Sequence, residues 1–394
     1  MKLRKSLFRN WRKKNLWYLP KLHPPTNIVR HCNSILLCIT VFTSLSCKSS
    51  SGDTGPVGPT WRVFTSANSG LHNNVINNIT VAYNQRVWFA TMDGAAYFDH
   101  GSWGLIHDSL QDGGAPPQYL PTYGVHDIID AKDHAVWFCL ISRVVRFAQF
   151  SSAHVWTRYT YPDIVPITTL TGAANRSNQT PDGEVWIAGI NGISRFHQGS
   201  TETGVWSSYL KSDGVTPLPS EDIQVAEYKP DDYSIWFGTK SGGAVEAFYN
   251  ESGILEWKAF NPPRDPSISI FSIGFADLVG SALTTIWFGR DTDVVVVNLS
   301  SGSWTTYSSG TTNGKMPHTT VNAITTNYGN QRWFGTNQGL VKFENADSWT
   351  TWTTTNSKLP NDTITALRFD SFGNLWIGTP TGVAVYNPDG IRYN

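Results

Sequence analysis

A Trp-centred motif recurs seven times along the chain at nearly regular intervals. Each copy reads as an apolar residue or Arg, then Trp, then Phe or Ile, then a small residue. The tryptophans are spaced 43 to 51 residues apart. They are Trp88, Trp137, Trp186, Trp236, Trp287, Trp333 and Trp376. A period of about 48 residues made of short apolar stretches is typical of the blades of a β-propeller.

Each repeat divides into four predicted strands. The first is the apolar stretch before the Trp, as in residues 364–369, and the Trp motif is the second. A tight turn containing Gly, such as Thr381-Gly382, leads to a third strand at 383–386. Gly in such a turn supplies the positive φ that a short hairpin needs. The fourth strand has its own signature, Trp-x-x-aromatic or apolar, as in Trp304 to Tyr307.

The number of fourth strands indicates how the ring closes. The signature occurs six times after the first Trp motif, and the last repeat ends without one. The same signature precedes all complete repeats, as Trp61-Arg-Val-Phe64. We therefore predict an all-β fold over residues 61–394, a seven-bladed β-propeller of four-stranded blades whose ring is closed by the N-terminal strand. The repeated aromatic residues are interpreted as packing between blades.

The repeats resemble a known family. A Leu-Pro or Met-Pro pair precedes several first strands, and the last copy reads Asp370-Ser-Phe-Gly-Asn-Leu-Trp-Ile-Gly-Thr-Pro-Thr-Gly-Val383. This pattern is similar to the two-component regulator propeller repeat, and the resemblance covers nearly all of residues 61–388. It implies a sensor role, because propellers of that family form periplasmic regions of hybrid histidine kinases. The sequence shows no kinase-like region, so we do not expect that output here.

The N-terminus has the features of an export signal. Residues 1–46 contain nine Lys and Arg and no Asp or Glu, and 35–45 form an apolar run too short to span a bilayer. The run ends at Ser-Leu-Ser-Cys47, which resembles a lipoprotein signal with Cys47 as the lipidated residue. An ordinary signal peptide or a signal anchor are the alternatives. Residues 47–60 are interpreted as a flexible tether, and we expect a chain lipid-anchored in the cell envelope on the periplasmic or surface side of the outer membrane.

Charge and cysteine content restrict the partners. The whole chain has zero net charge, but removing the nine basic residues of the leader leaves 21 basic against 30 acidic residues, a net charge of about −9. An acidic body without a basic stripe argues against nucleic acid as a partner. Cys139 is the one cysteine after Cys47, and its strand-like surroundings predict a small buried residue. We expect a monomer that binds a glycan, a small molecule or a protein partner, without a cofactor.

A ligand site is predicted at the mouth of the channel. Propellers commonly bind ligands on the face where the innermost strands begin, among the loops that lead into each blade and the turns between second and third strands. Charged residues that break the repeat in these turns are the candidates, foremost Arg290, which replaces a Thr shared by four other copies. The predicted lining residues are Asp93, Tyr123, Arg143, Lys240, Arg290, Asp291 and His318.

Two further functions remain open. Residues 183–195 resemble streptogramin lyases, and the turn before Trp186 resembles a sialidase turn, so a propeller enzyme of lyase or glycoside-hydrolase type is one alternative. Neither the metal site of the lyases nor the Arg triad of the sialidases can be placed, and no catalytic or metal-binding motif is found in the sequence. A structural component of the envelope is the other alternative. The leading prediction is a non-catalytic binding or sensing propeller.

Overall fold

The described part of the chain folds into seven four-stranded antiparallel sheets. The computed structural model describes residues 59–82, 84–106, 124–130, 135–140, 143–149, 154–160, 167–173, 184–197, 204–214, 216–262, 269–279, 282–327, 329–346 and 348–393, all within the compact unit Thr54–Asn394. These residues form 28 strands and one 3-10 turn, Lys211–Asp213. No helix among them is both long and apolar enough to span a bilayer. The predicted seven-bladed propeller is confirmed.

The strands follow the chain order, four to a blade. The N-terminal strand is β1 (Trp61–Phe64). Blade 1 contains β2 (Ile76–Val81), β3 (Val87–Thr91), β4 (Ala95–Asp99) and β5 (Ser102–Ile106). Blade 2 contains β6 (Val125–Asp130), β7 (Val136–Leu140), β8 (Arg143–Gln149) and β9 (His154–Thr160). Blade 3 contains β10 (Ile167–Ala173), β11 (Glu184–Gly189), β12 (Gly192–His197) and β13 (Val205–Tyr209). Blade 4 contains β14 (Ile223–Lys229), β15 (Ser234–Thr239), β16 (Ala244–Tyr249) and β17 (Leu255–Phe260). Blade 5 contains β18 (Ser272–Val279), β19 (Ala282–Gly289), β20 (Asp293–Asn298) and β21 (Trp304–Ser308). Blade 6 contains β22 (Val321–Thr326), β23 (Arg332–Thr336), β24 (Gly339–Asn345) and β25 (Ser348–Trp352). Blade 7 contains β26 (Ala366–Phe369), β27 (Leu375–Thr379) and β28 (Gly382–Tyr386).

The ring closes as the sequence predicts. Strand β1 pairs antiparallel with β28, with Trp61 opposite Tyr386 and Phe64 opposite Val383. Blade 7 thus takes its outermost strand from the start of the domain. An open ring would leave β28 as an exposed edge, which is a site for unwanted pairing.

The motif tryptophans form the contacts between blades. All seven indole side chains are at most 3% exposed. In five blades the ring contacts the Phe that follows the motif Trp of the next blade, as Trp88 does with Phe138 and Trp376 with Phe89. Where the next motif has Ile instead, the Trp lies in the same cluster as that Ile, as Trp137 does with Ile187. The interpretation of these aromatics as packing residues is confirmed.

Side chains of the family motif have structural roles that explain the pattern. One carboxylate oxygen of Asp370 accepts hydrogen bonds from the backbone N–H of Phe372 and of Asn374, at 3.0 and 2.9 Å. The other accepts from the indole N–H of Trp376 at 2.8 Å. Gly373 completes this turn with a φ of 78°. The Asp-x-x-Gly-x-Leu-Trp motif therefore forms a turn whose Asp accepts the hydrogen bond of the buried indole N–H.

Two faces of the ring are distinguished below. Because successive strands are antiparallel, the turns between second and third strands and the connections into each blade lie on one face, here called the upper face. The turns between first and second strands lie on the opposite, lower face. The first strands line the central channel between the two faces.

Cys139 lies in the core of blade 2, fully buried, and burial raises the pKa of its thiol well above the usual value.

Closure by β1 predicts an order of mutational effects. Phe64 is 3% exposed and contacts Phe98, Trp103 and Trp376, whereas Trp61 is only half-buried. Phe64→Ala should therefore lower the free energy of unfolding by about 3–5 kcal/mol, and Trp61→Ala by less. Deleting residues 58–66 should cause aggregation, while deleting 48–57 should not. Chemical denaturation and light scattering test both points, and a stable, soluble 58–66 deletion would disprove closure by this strand.

Candidate functional site

The innermost strands share an irregularity near their start. In five of them the pairing with the second strand skips one residue. In blade 1, for example, Ile76 pairs with Thr91 and Asn78 with Ala90, while Asn77 lies opposite no residue of the second strand. A β-bulge of this kind breaks the ladder locally and re-aims a side chain. The skipped residues are Asn77, His126, Thr168, Gln224 and Asn322.

Four of these bulge residues line a cavity of about 210 Å³ in the channel, called the upper chamber. Two amide groups also join neighbouring blades. The Asn77 side chain donates to the carbonyl of Val125 at 2.7 Å, and the Asn322 side chain to the carbonyl of Ile364 at 2.9 Å. The bulges therefore place polar side chains, which differ from blade to blade, around the channel.

A histidine and an aspartate lie beside each other in the wall of the upper chamber. The His126 ring is exposed to the channel, but the surrounding protein partly desolvates it and lowers the pKa of His126 below its usual value. His126 is therefore neutral at pH 7. Asp127 beside it is buried, and its carboxylate accepts hydrogen bonds from the Asn78 amide and the Ile128 N–H. Within the described ranges, no group of three or more His, Cys, Asp and Glu residues is arranged to hold a metal ion.

An ion pair crosses the channel and lines this chamber as well. The Arg368 guanidinium on β26 donates to the Glu227 carboxylate on β14 at 2.8 Å. The two strands belong to blades 7 and 4, which lie on opposite sides of the ring. The Glu227 carboxylate raises the pKa of Arg368, so the guanidinium is charged at neutral pH. A second cavity of about 730 Å³, the lower funnel, opens at the lower face and also contacts Glu227 and Arg368.

The residues predicted from the turns lie elsewhere. Tyr123 is outside the described residues. The other six lie at the upper face, and none of them lines the upper chamber or the lower funnel. Lys240, Asp291 and His318 are exposed, and Asp93 and Arg143 are half-buried. Lys240 has an ion-pair partner, with Nζ 3.1 Å from Asp222 Oδ2. A binding role for these six side chains stays a prediction.

Arg290 has a local structural partner. Its guanidinium donates to both carboxylate oxygens of Asp293, at 2.6 and 2.7 Å, and both residues are buried. In other blades the Thr at this position bonds the carbonyl of the turn, as Thr336 does to Gly339 at 2.8 Å. A bidentate ion pair thus replaces a hydroxyl bond that fixes the turn between second and third strands.

The bulge residues and the crossing ion pair were missed by sequence reasoning. A signal was present, because the residue after the first Ile or Val of the inner strand differs among repeats, as in Asn77, His126 and Gln224. This position lies in a strand, whereas the residues predicted as the channel lining lie in turns and loops. A bulge depends on the register between strands, which single residues do not encode.

A family comparison supports the resemblance found in the repeats. The model of the two-component regulator propeller family matches residues 358–381, which include the Asp370 turn and Trp376. One stretch of this chain thus matches that family's model. The match covers one repeat, and the other blades share its Trp motif and strand order. No protein with a curated description matches the sequence.

Solved structures share the fold at low identity. One is the extracellular domain of a candidate hybrid two-component system, BT3049 from B. thetaiotaomicron, with 19% identity, a TM-score of 0.63, and coverage of 83% of this chain and 42% of that one. Virginiamycin B lyase from Staphylococcus aureus has 17% identity and a TM-score of 0.58, with coverage of 83% of this chain and 99% of that one. PorZ from Porphyromonas gingivalis is a surface component of the type-IX secretion system. It has 16% identity and a TM-score of 0.59, with coverage of 81% of this chain and 47% of that one. The chain thus spans about 40% of the extracellular domain of the two-component system, and these likenesses show the fold.

The Arg290–Asp293 ion pair predicts the effect of Arg290→Thr on stability. The substitution restores the residue of other repeats but leaves the Asp293 carboxylate buried without its partner, so the free energy of unfolding should fall by roughly 3 kcal/mol. Adding Asp293→Gly restores both residues of the repeat and should recover most of this loss. Denaturant unfolding of the single and double variants tests the pair. Unchanged stability of the single variant would show that the ion pair does not hold the turn.

Proposed function

We propose that this propeller is a ligand-binding sensor module, exported to the cell envelope, and that its ligand enters the central channel. One observation supports this most directly. At the β-bulges, the inner strands place polar side chains that differ between blades in the channel. Irregular strands next to a cavity are a common way to present binding groups.

The chemistry of the upper chamber favours binding over catalysis. Asn77, Gln224 and Asn322 present amide groups, which donate and accept hydrogen bonds but do not exchange protons at neutral pH. Such groups suit a ligand rich in hydroxyl or amide functions. The known sensor-domain structures of the same fold support a sensing role, and the export signal expected in residues 1–46 agrees with an extracytoplasmic ligand.

The binding site can be located by paired variants. The purified exported chain would be screened by thermal shift against glycans and small metabolites, and a stabilising compound titrated by calorimetry. His126→Ala and Gln224→Ala should weaken its binding by about tenfold each, because each removes a hydrogen-bonding group, with little change in stability. Lys240→Ala and His318→Ala on the upper-face turns are the controls. Loss of binding in the controls, with normal binding in the channel variants, would move the site to the turns.

Anchoring to the envelope is proposed through Cys47. The basic leader, the short apolar run and the Ser-Leu-Ser-Cys sequence motivate this assignment. Labelled palmitate should enter the wild-type chain in cells and should be absent from Cys47→Ala. Equal labelling of both chains would disprove lipidation at this residue.

A further inference from the structure

The lower funnel combines apolar walls with a charged base. Its cavity of about 730 Å³ lies within the range of small-molecule sites, roughly 300–1,000 Å³. The walls include Val81, Phe275 and Phe369, which are half-buried and so present apolar surface to the funnel. At the base lie Arg368 and Glu227, with side chains 32% and 25% exposed. A ligand that fills the funnel would therefore have an apolar body and a polar head.

The fold does not require the ion pair at the base. The corresponding position of the other inner strands whose side chains are described is uncharged. Its residues are Thr80, Ile129, Gly274 and Thr325. Adjacent blades are joined by other bonds, such as Thr80 Oγ1 to the Ile128 carbonyl at 2.6 Å and Thr365 Oγ1 to the Ile76 carbonyl at 2.6 Å. Arg368 and Glu227 instead join two blades that are not neighbours.

Electrostatics restrict the head of such a ligand. A head carrying one charge would pair with either Arg368 or Glu227 and leave the other partly buried group without its partner, which is costly. A head carrying both charges can separate the pair and satisfy both residues at once. A carboxylate suits the planar donors of Arg368, and an ammonium group suits the Glu227 carboxylate.

We infer that the lower funnel binds an apolar α-amino acid as a zwitterion, with its carboxylate on Arg368, its ammonium on Glu227, and its side chain against Phe275 and Phe369. This deepens the proposed function and rests on it, since it names a ligand class for the same channel. The arrangement also gives the sensor a readout, because binding would open the contact that links blades 4 and 7 across the ring.

Three probes with the same apolar body test the head chemistry. L-Phenylalanine, 3-phenylpropionate and 2-phenylethylamine differ in whether they carry both charges, the carboxylate alone or the ammonium alone. Calorimetric titration of the purified exported chain should give an affinity for phenylalanine about tenfold or more above that for either analogue. Equal affinity for all three probes, or no binding of any to the folded chain, would overturn the inference.

Variants assign each charge to its partner. Arg368→Gln should abolish the higher affinity for phenylalanine than for 2-phenylethylamine. Glu227→Gln should abolish the higher affinity for phenylalanine than for 3-phenylpropionate. Arg86→Gln is the matched control, because Arg86 forms an ion pair with Asp99 at 2.8 Å with similar exposure but lies outside the channel lining. Thermal unfolding of each variant verifies folding. An unchanged preference in both channel variants would overturn the assignment.

The inference and the proposed function fail differently. If the probes do not bind while a ligand found by screening still depends on His126 and Gln224, the amino-acid assignment falls and the channel remains the site. If a screened ligand is insensitive to His126, Gln224, Arg368 and Glu227 alike, the channel site falls together with the amino-acid assignment.

Discussion

The contact between the motif Trp of one blade and the Phe or Ile of the next is the interaction on which the rest of the structure depends. A single four-stranded sheet cannot bury both of its apolar faces, and each of the seven core clusters lies between two blades. Stability therefore requires that every blade has two neighbours. This condition is met only when the ring is complete, which explains why β1 returns to pair with β28.

Closing the ring creates a second problem, because the inner edge of every first strand faces the channel. Backbone groups there have no ladder partner, and buried polar groups need one. Side chains of neighbouring inner strands supply some of these hydrogen-bond partners. Ser272 Oγ donates to the Val321 carbonyl at 2.7 Å, and Thr326 Oγ1 donates to the Phe275 carbonyl at 2.9 Å. The channel is consequently polar for a structural reason. Asn77 and Asn322 at the bulges take part in this arrangement, whereas the His126 ring is exposed to the channel.

The parts of this structure differ in how far the sequence could predict them. The blades and the closing strand were predictable because packing requires a Trp in every repeat, and Trp61 carried the missing fourth-strand signature. The ion pair in the channel was not predictable, because Glu227 and Arg368 are 141 residues apart in the sequence. Each is an ordinary strand residue by its sequence context, and only the closed ring brings the two together. Arg290 differs, because its departure from the repeat is visible in the sequence. It breaks the repeat, but Asp293 three residues later compensates for it within the same turn.

This contrast suggests how non-repeated charges in a propeller can be sorted. Arg290 with Asp293, and Lys240 with Asp222, pair within a blade or its own connecting loop, so they can be explained by local folding of that blade. Arg368 and Glu227 pair across the channel, where neither blade gains packing from the contact. A contact between non-adjacent blades transmits a change on one side of the ring directly to the other. Under the proposed sensing function, some part of the molecule must change its state with the ligand, and the crossing pair is the element of this ring best placed to do so.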